Sequence, residues 1–309
     1  MDMIAGVDEV GRGPLAGPVL AAAVILPNEH GIIGLKDSKK LSKKRREELY
    51  LIIKEKSLCI GIGQMSSTKI DDINIHQATL KAMEEALFNL PTTPKKALID
   101  GYSLNSQIIP NEGIVRGDDR IECIQAASII AKVTRDRIMK EYAQIFPEYG
   151  FHNNSGYGTK LHLDALNKYK ATPIHRQSYK PVKNNMPSIK WLKENNRYDW
   201  MSTKLAALYL FDKGYKIIKL NNDGQLNDRV DIIVKKNGSF SLVNVKTVLD
   251  SDMIVSSLNP DQEDVERLIK SINIDKNKFF DYIPFNIDIM YVKINKNKKP
   301  GIHHLISIN

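Results

Sequence analysis

The chain has 309 residues, 42% hydrophobic and 26% charged, which allows two domains with buried cores and excludes wholesale disorder. Its 45 basic and 36 acidic residues leave a formal charge of +9, spread over both halves, which is compatible with a polyanionic partner such as nucleic acid. The longest apolar run, residues 19–26, is too short to cross a bilayer, the opening residues carry no basic export region, and Cys59 and Cys123 alone exclude a disulfide scaffold or a cysteine-only zinc site, so a cytoplasmic protein without membrane contact is expected.

In chain order, residues 4–10 form an apolar strand ending in Asp8 and Glu9. A Gly/Pro turn leads to a second strand, 19–26, which pairs with it antiparallel. Ser42 caps a helix through Lys56, with Leu49, Ile52 and Ile53 at helical spacing. A strand at 58–65, a helix at 73–87, strands at 96–100 and 114–117 and a long helix at 120–142 follow. This pattern predicts an α/β fold, a mixed sheet with helices packed on it. The polar, breaker-rich stretch 184–197 reads as a linker with a helical turn around Trp191. Beyond it, a helix at 200–213 stopped by Gly214, strands at 217–220, 229–234 and 241–246, a helix near 263–272 and strands at 287–294 and 303–308 predict a smaller α/β unit.

Asp8, Glu9, Asp100 and Asp118 each follow an apolar strand. Strand ends on one sheet edge are a usual place for a site. Acids gathered there repel one another unless divalent cations lie between them, and hard oxygen ligands suit Mg²⁺ or Mn²⁺. Two such ions support in-line phosphodiester displacement. The neighbouring glycine run fails two other readings. As a P-loop, residues 6–13 carry Arg12 and Gly13 in place of Lys and Ser/Thr, and two carboxylates where phosphate would sit. As a dinucleotide fingerprint, residues 11–16 precede a strand where a helix is needed. A tight turn remains, able to bring backbone N–H groups and Arg12 against a ligand.

The segment Asp8-Glu9-Val10-Gly11-Arg12-Gly13-Pro14-Leu15-Ala16-Gly17-Pro18 resembles the signature of the bacterial ribonuclease HII family. So do Asp37-Ser38-Lys39-Lys40-Leu41-Ser42, Ile73-Asn74-Ile75-His76-Gln77-Ala78-Thr79, Arg116-Gly117-Asp118, residues 126–136, Gly156-Tyr157-Gly158-Thr159 and His175-Arg176-Gln177-Ser178-Tyr179-Lys180-Pro181-Val182. These blocks run in order through residues 1–183. The resemblance implies an RNase H-like fold with a mixed five-stranded sheet. It also implies a two-metal site on Asp8, Glu9, Asp100 and Asp118, using Mn²⁺ or Mg²⁺. The implied activity is endonucleolytic cleavage of the RNA strand of RNA–DNA hybrids, and 5′ to single ribonucleotides in duplex DNA, leaving 5′-phosphate and 3′-hydroxyl ends.

Only the 2′-hydroxyl separates ribose from deoxyribose at a given position. The resemblance assigns its reading to Gly11, Arg12 and Gly13 with Tyr157, whose ring would stack on the following deoxyribose. Lys39, Lys40, Lys132, Arg135 and Lys160 are expected phosphate contacts, which position without specifying. Asp136 is expected to partner arginines, and His152, His162 and His175 to be structural or to edge the substrate. Two departures stand out. A Lys-rich stretch of the family reads His152-Asn153-Asn154-Ser155 here, and its Phe after His-Arg-x-Ser is Tyr179. A monomer is expected.

Residues 198–309 resemble, more faintly, the YraN-like endonuclease family, implying a small restriction-endonuclease-like α/β domain. Asp231 and Lys246 match its metal site, but Asn244 stands where Glu is needed. An amide supplies no anionic ligand, so this second site is expected to be inactive. Two alternatives are a nucleic-acid-binding protein with a dead site, and a structure-specific DNA nuclease working through this second domain.

Overall fold

The computed structural model describes residues 3–105, 108–221, 230–249, 254–260, 262–263, 265–266, 270, 285–294 and 300–306. The chain forms two compact units. One comprises Met1–Lys140 with Glu148–Met186, the other Glu141–Pro147 with Pro187–Asn309.

The first unit is built on a five-stranded sheet of β1 (Ile4–Val10), β2 (Val19–Ile25), β3 (Cys59–Met65), β4 (Lys96–Asp100) and β5 (Asn111–Ile114), in the order β3-β2-β1-β4-β5. β1 pairs antiparallel with β2 and parallel with β4; β2–β3 is antiparallel and β4–β5 parallel. The helices are α1 (Lys43–Lys56), α2 (Ser67–Phe88), α3 (Glu122–Ile145), and the shorter α4 (Phe151–Asn154), α5 (Lys160–Tyr169) and α6 (Lys180–Lys183).

The apolar run in β2 is continuous because both faces are covered. Ala21, Ala23 and Ile25 pack with Ala78, Ala82 and Ala86 of α2. Leu20, Ala22 and Val24 pack with Leu49 and Ile53 of α1 and Ala126, Ala127 and Ile130 of α3. Gly6 in β1 lies directly under α3: a Cβ there would come 2.1 Å from the Cys123 carbonyl carbon, so only glycine permits this approach.

Two expectations shift for identifiable reasons. α2 starts earlier than residue 73, capped by Ser66, but it kinks at Asn74 (φ 66°), whose Oδ1 accepts from the Gln77 N–H as a second cap. The strand expected at 114–117 ends at Ile114 because Arg116 takes a left-handed conformation (φ 55°) and Gly117–Asp119 form a 3₁₀ turn.

In the second unit, α7 (Ile189–Glu194) occupies the expected linker and α8 (Tyr198–Asp212) precedes Gly214 (φ 81°). The strands β6 (Lys216–Leu220), β7 (Ile232–Lys236), β8 (Ser239–Val248), β9 (Phe285–Lys293) and β10 (Gly301–Leu305) form a second mixed sheet, ordered β10-β9-β8-β7-β6. Only β8–β9 is parallel. One core lies around Ile233, Leu242, Ile287 and Ile289. The helix expected near 263–272 falls largely outside the described residues, as do Arg229 and residues 307–309. Among the described residues, no helix is long and apolar enough to cross a membrane.

Candidate active site

β1 and β4 are the central parallel pair, and the register that sets Val7 against Ile99 brings Asp8 level with Asp100. Asp8 is buried; Glu9 and Asp100 are half-buried. One carboxylate oxygen from each of these three lies within 4.8 Å of the others. Asp118 arrives from the 3₁₀ turn after β5. Its N–H donates to Asp100 Oδ1 (3.3 Å), and its Oδ2 sits 3.9 Å from Lys39 Nζ. It borders the trio without being one of its three converging carboxylates.

Proton affinities report the crowding. Burial and the neighbouring Glu9 hold the Asp8 carboxyl well above the usual carboxylate range, although it accepts the Glu9 N–H at 2.7 Å. Burial also raises Glu9, partly offset by Arg12, whose Nη1 is 3.4 Å from Glu9 Oε1. Burial, then Asp100 and Asp37, raise Asp118. The two nearby cations are set at the rim: the Lys39 side chain is 81% exposed and that of Arg12 49%. Three converging hard oxygen donors with incomplete charge compensation fit a divalent cation. Asp8, Glu9 and Asp100 would hold it, with Asp118 alongside.

The turn joining β1 to β2 abuts this cluster. Gly11 has φ 94° and packs on Arg135, where a Cβ would meet Nε at 2.3 Å. Arg12 and Gly13 are exposed. The Tyr157 ring, 47% exposed, lies over Gly13, 3.3 Å from where its Cβ would be. The four residues singled out as ribose readers therefore adjoin one another, with Arg12 bridging to the acids.

The basic residues divide. Lys39 and Lys160 are exposed, and Lys40 is exposed but bonded to Asp119. Lys132 is ion-paired with Asp136 (2.8 Å). Asp136 also accepts from Ser155 Oγ (3.2 Å), so its partners are a lysine and a serine rather than the expected arginines. Arg135 is no phosphate contact: it is fully buried and donates to the carbonyls of Pro18 (2.8 Å), Ser155 (2.9 Å) and Ala16 (3.1 Å). His162 and His175 are structural and wholly buried, their Nε2 atoms 3.0 Å apart. Asp71, which no motif signals, caps the segment after Arg176 by accepting from the Gln177 and Ser178 N–H groups (2.8 and 2.9 Å).

In the second unit, Asp231 Oδ2 accepts from the Val245 N–H (2.7 Å) and from Asn244 Nδ2 (3.3 Å). Burial pushes the Asp231 carboxyl up to about 6. Lys246 Nζ lies 6.0 Å from the Tyr291 ring centre. Asn244 thus presents a donor to Asp231 where a second carboxylate would supply an acceptor.

A mixed five-stranded sheet with carboxylates converging on its central parallel strands, beside a glycine–arginine turn, defines the first unit as a metal-dependent hydrolytic nuclease of RNase H-like fold. The family model for ribonuclease HII matches residues 5–182. The chain belongs to the ribonuclease HII family. It is 56% identical over 181 residues to ribonuclease HII of Enterococcus faecalis, covering 59% of this chain and 71% of that one. It is 50% identical over 183 residues to ribonuclease HII of Ligilactobacillus salivarius, with the same coverage. The crystal structure of ribonuclease H2 from Pyrococcus horikoshii matches with a TM-score of 0.52 at 27% identity, over 59% of this chain and 95% of that one. The chain is an endoribonuclease acting on RNA–DNA hybrids.

Proposed function

We propose that this enzyme also cuts 5′ to a single ribonucleotide embedded in duplex DNA, leaving 5′-phosphate and 3′-hydroxyl ends, with Asp8, Glu9, Asp100 and Asp118 as its metal-holding acids. The convergence of the Asp8, Glu9 and Asp100 oxygens within 4.8 Å carries the reading. Two divalent ions, Mg²⁺ or Mn²⁺, when bound supply the positive charge that an in-line phosphodiester displacement requires. The chain's own groups do the rest. Gly11, Arg12 and Gly13 present backbone and guanidinium donors to the ribonucleotide, and Tyr157 flanks the adjoining sugar. Lys39 and Lys160 lie where solvent-facing phosphates can be neutralised, and Lys132 serves the same strand from its pairing with Asp136. The enzyme works as a cytoplasmic monomer.

Arg12→Ala is expected to lower cleavage of a duplex carrying one ribonucleotide about tenfold to a hundredfold, while weakening duplex binding less than threefold. Steady-state cleavage beside binding in Ca²⁺ tests this; equal losses would remove Arg12 from the reading of ribose.

The raised carboxyls set a pH dependence. Each keeps its proton to higher pH than an ordinary carboxylate, and a protonated carboxyl is a poor cation ligand. At limiting divalent ion, activity therefore climbs with pH through a midpoint above the usual carboxylate range, and more ion lowers that midpoint by competing with the proton. Rates between about pH 5 and 9 at two Mg²⁺ concentrations check this, and a midpoint indifferent to the ion would contradict it.

For the second unit, the reading is a restriction-endonuclease-like, YraN-like domain without nuclease activity of its own, extending over 198–309 after the segment 184–197 and the catalytic domain at 1–183. The Asn244 amide directed at Asp231 supports it. A cleft of about 790 Å³ in this unit is lined by Lys190, Lys193 and Lys293 together with the apolar Ile189, Val248, Leu249 and Ile294.

A further inference from the structure

His175 and Arg176 are consecutive, both wholly buried, and fasten different parts of the site. Arg176 donates to loop carbonyls on the β1–β2 turn: Nη1 to Arg12 (2.7 Å), Nη2 to Gly11 and to Gly17 (3.0 Å), and Nε to Gly17 (3.2 Å). The Tyr179 hydroxyl adds a second donor to the Arg12 carbonyl (2.8 Å). Among the described residues no peptide bond is cis, and in a trans peptide the carbonyl and the following N–H point opposite ways. Drawing the Gly11 and Arg12 carbonyls inward therefore turns the N–H groups of Arg12 and Gly13 outward. Among the described residues neither N–H donates to another protein group.

His175 works on the other side. Its Nδ1 accepts from the Thr172 N–H (3.1 Å), so its Nε2 carries the hydrogen and donates to His162 Nε2 (3.0 Å). His162 is then protonated on Nδ1 and donates to the Tyr157 carbonyl (2.9 Å). Tyr149 and Phe151 wedge both rings, with Tyr149–His175 centres at 5.0 Å and Phe151–His162 edge-on at 5.2 Å. Burial, and the neighbouring His162, push His175 down to about 3, so the relay stays neutral.

We infer that His175 and Arg176 are positioning residues that hold the two jaws of the ribose reader at a fixed separation, Arg176 aiming the Arg12 and Gly13 N–H groups and His175, through His162, seating Tyr157. Because adjacent residues of one chain hold both jaws, the gap between them is set by a single peptide link. This rests on the proposed reading of ribose by Gly11, Arg12, Gly13 and Tyr157.

The full chain is tested on duplex DNA containing a short run of ribonucleotides and on duplex with a single one. A lysine in place of Arg176 keeps the charge but cannot fork to three carbonyls. Arg176→Lys is expected to lower kcat on the single-ribonucleotide duplex about tenfold or more with KM changed less than threefold, and to spread the cuts along the run away from the positions at which the parent cuts. A merely structural role would scale all cuts alike and leave their positions unchanged; that outcome overturns the inference. Should Arg176→Lys fail to fold, amide exchange in the parent decides. The Arg12 and Gly13 amides should exchange fast in the free protein and slow on adding single-ribonucleotide duplex in Ca²⁺, but not all-DNA duplex. Amides already protected without duplex refute it. A parent that cuts no ribonucleotide-containing duplex would instead refute the reading on which the inference rests.

Discussion

Asp8→Asn is expected to lower hybrid cleavage on the order of a thousandfold, equivalent to about 4 kcal/mol of barrier, while leaving a fold at least as stable as the parent without divalent ions. The second half follows from linkage. Asp8 holds its proton more tightly folded than unfolded, so as pH rises past the unfolded pKa the fold loses stability, and the penalty is complete above the folded pKa. At neutral pH the parent bears that penalty and the asparagine variant does not. Adding Mg²⁺ or Mn²⁺ should raise the parent's melting midpoint and barely move the variant's. Melting curves with and without ion, beside a cleavage assay, check both halves. Activity within tenfold of the parent, or a parent midpoint indifferent to the ion, would take Asp8 out of the metal centre.

The second large effect is on stability. Arg135→Met keeps a similar volume but removes the donors to the Ala16, Pro18 and Ser155 carbonyls. Leaving buried carbonyls unpaired costs about 1–3 kcal/mol each. Part of this is recovered because a buried charge is also removed. A net loss of about 3–5 kcal/mol is expected, at the upper end for single substitutions, or roughly 10 °C in the melting midpoint of a unit this size. Because Gly11 packs on the same side chain, the turn should loosen as well. Calorimetry of the full chain measures the shift. A midpoint within a degree or two of the parent's would mean that other donors take over these carbonyls.

Arg135 also shows where one-dimensional reading stops. Asp8, Glu9 and Asp100 stand out because they close short apolar runs that read directly as the strands β1 and β4. Antiparallel pairing of β1 with β2 follows from the short turn between them. A fully buried arginine has no such signature: among surrounding lysines it looks like one more phosphate contact. Its partners, the carbonyls of Ala16 and Pro18, are more than a hundred residues away, and backbone oxygens carry no residue identity. The same holds for Arg176 on Gly11 and for Asp71 on Ser178. The His162–His175 pair escapes notice because a separation of thirteen positions matches no metal spacing, and only the fold brings the rings together. Asp118 is intermediate. The apolar Ile114 and Val115 before it are noticeable, but β5 ends at Ile114, and the left-handed Arg116 and the turn at Gly117 place Asp118 beside the trio, which no periodicity reveals.

Translation delivers these pieces in a fixed order. Every acid has been made by residue 118, whereas Tyr157, His175 and Arg176 leave the ribosome only later. The central strands and their carboxylates can associate while the turn at Gly11 still lacks its arginine clasp. On the proposed reading of ribose by Gly11, Arg12, Gly13 and Tyr157, the acids are therefore synthesised before the residues that clasp the reader.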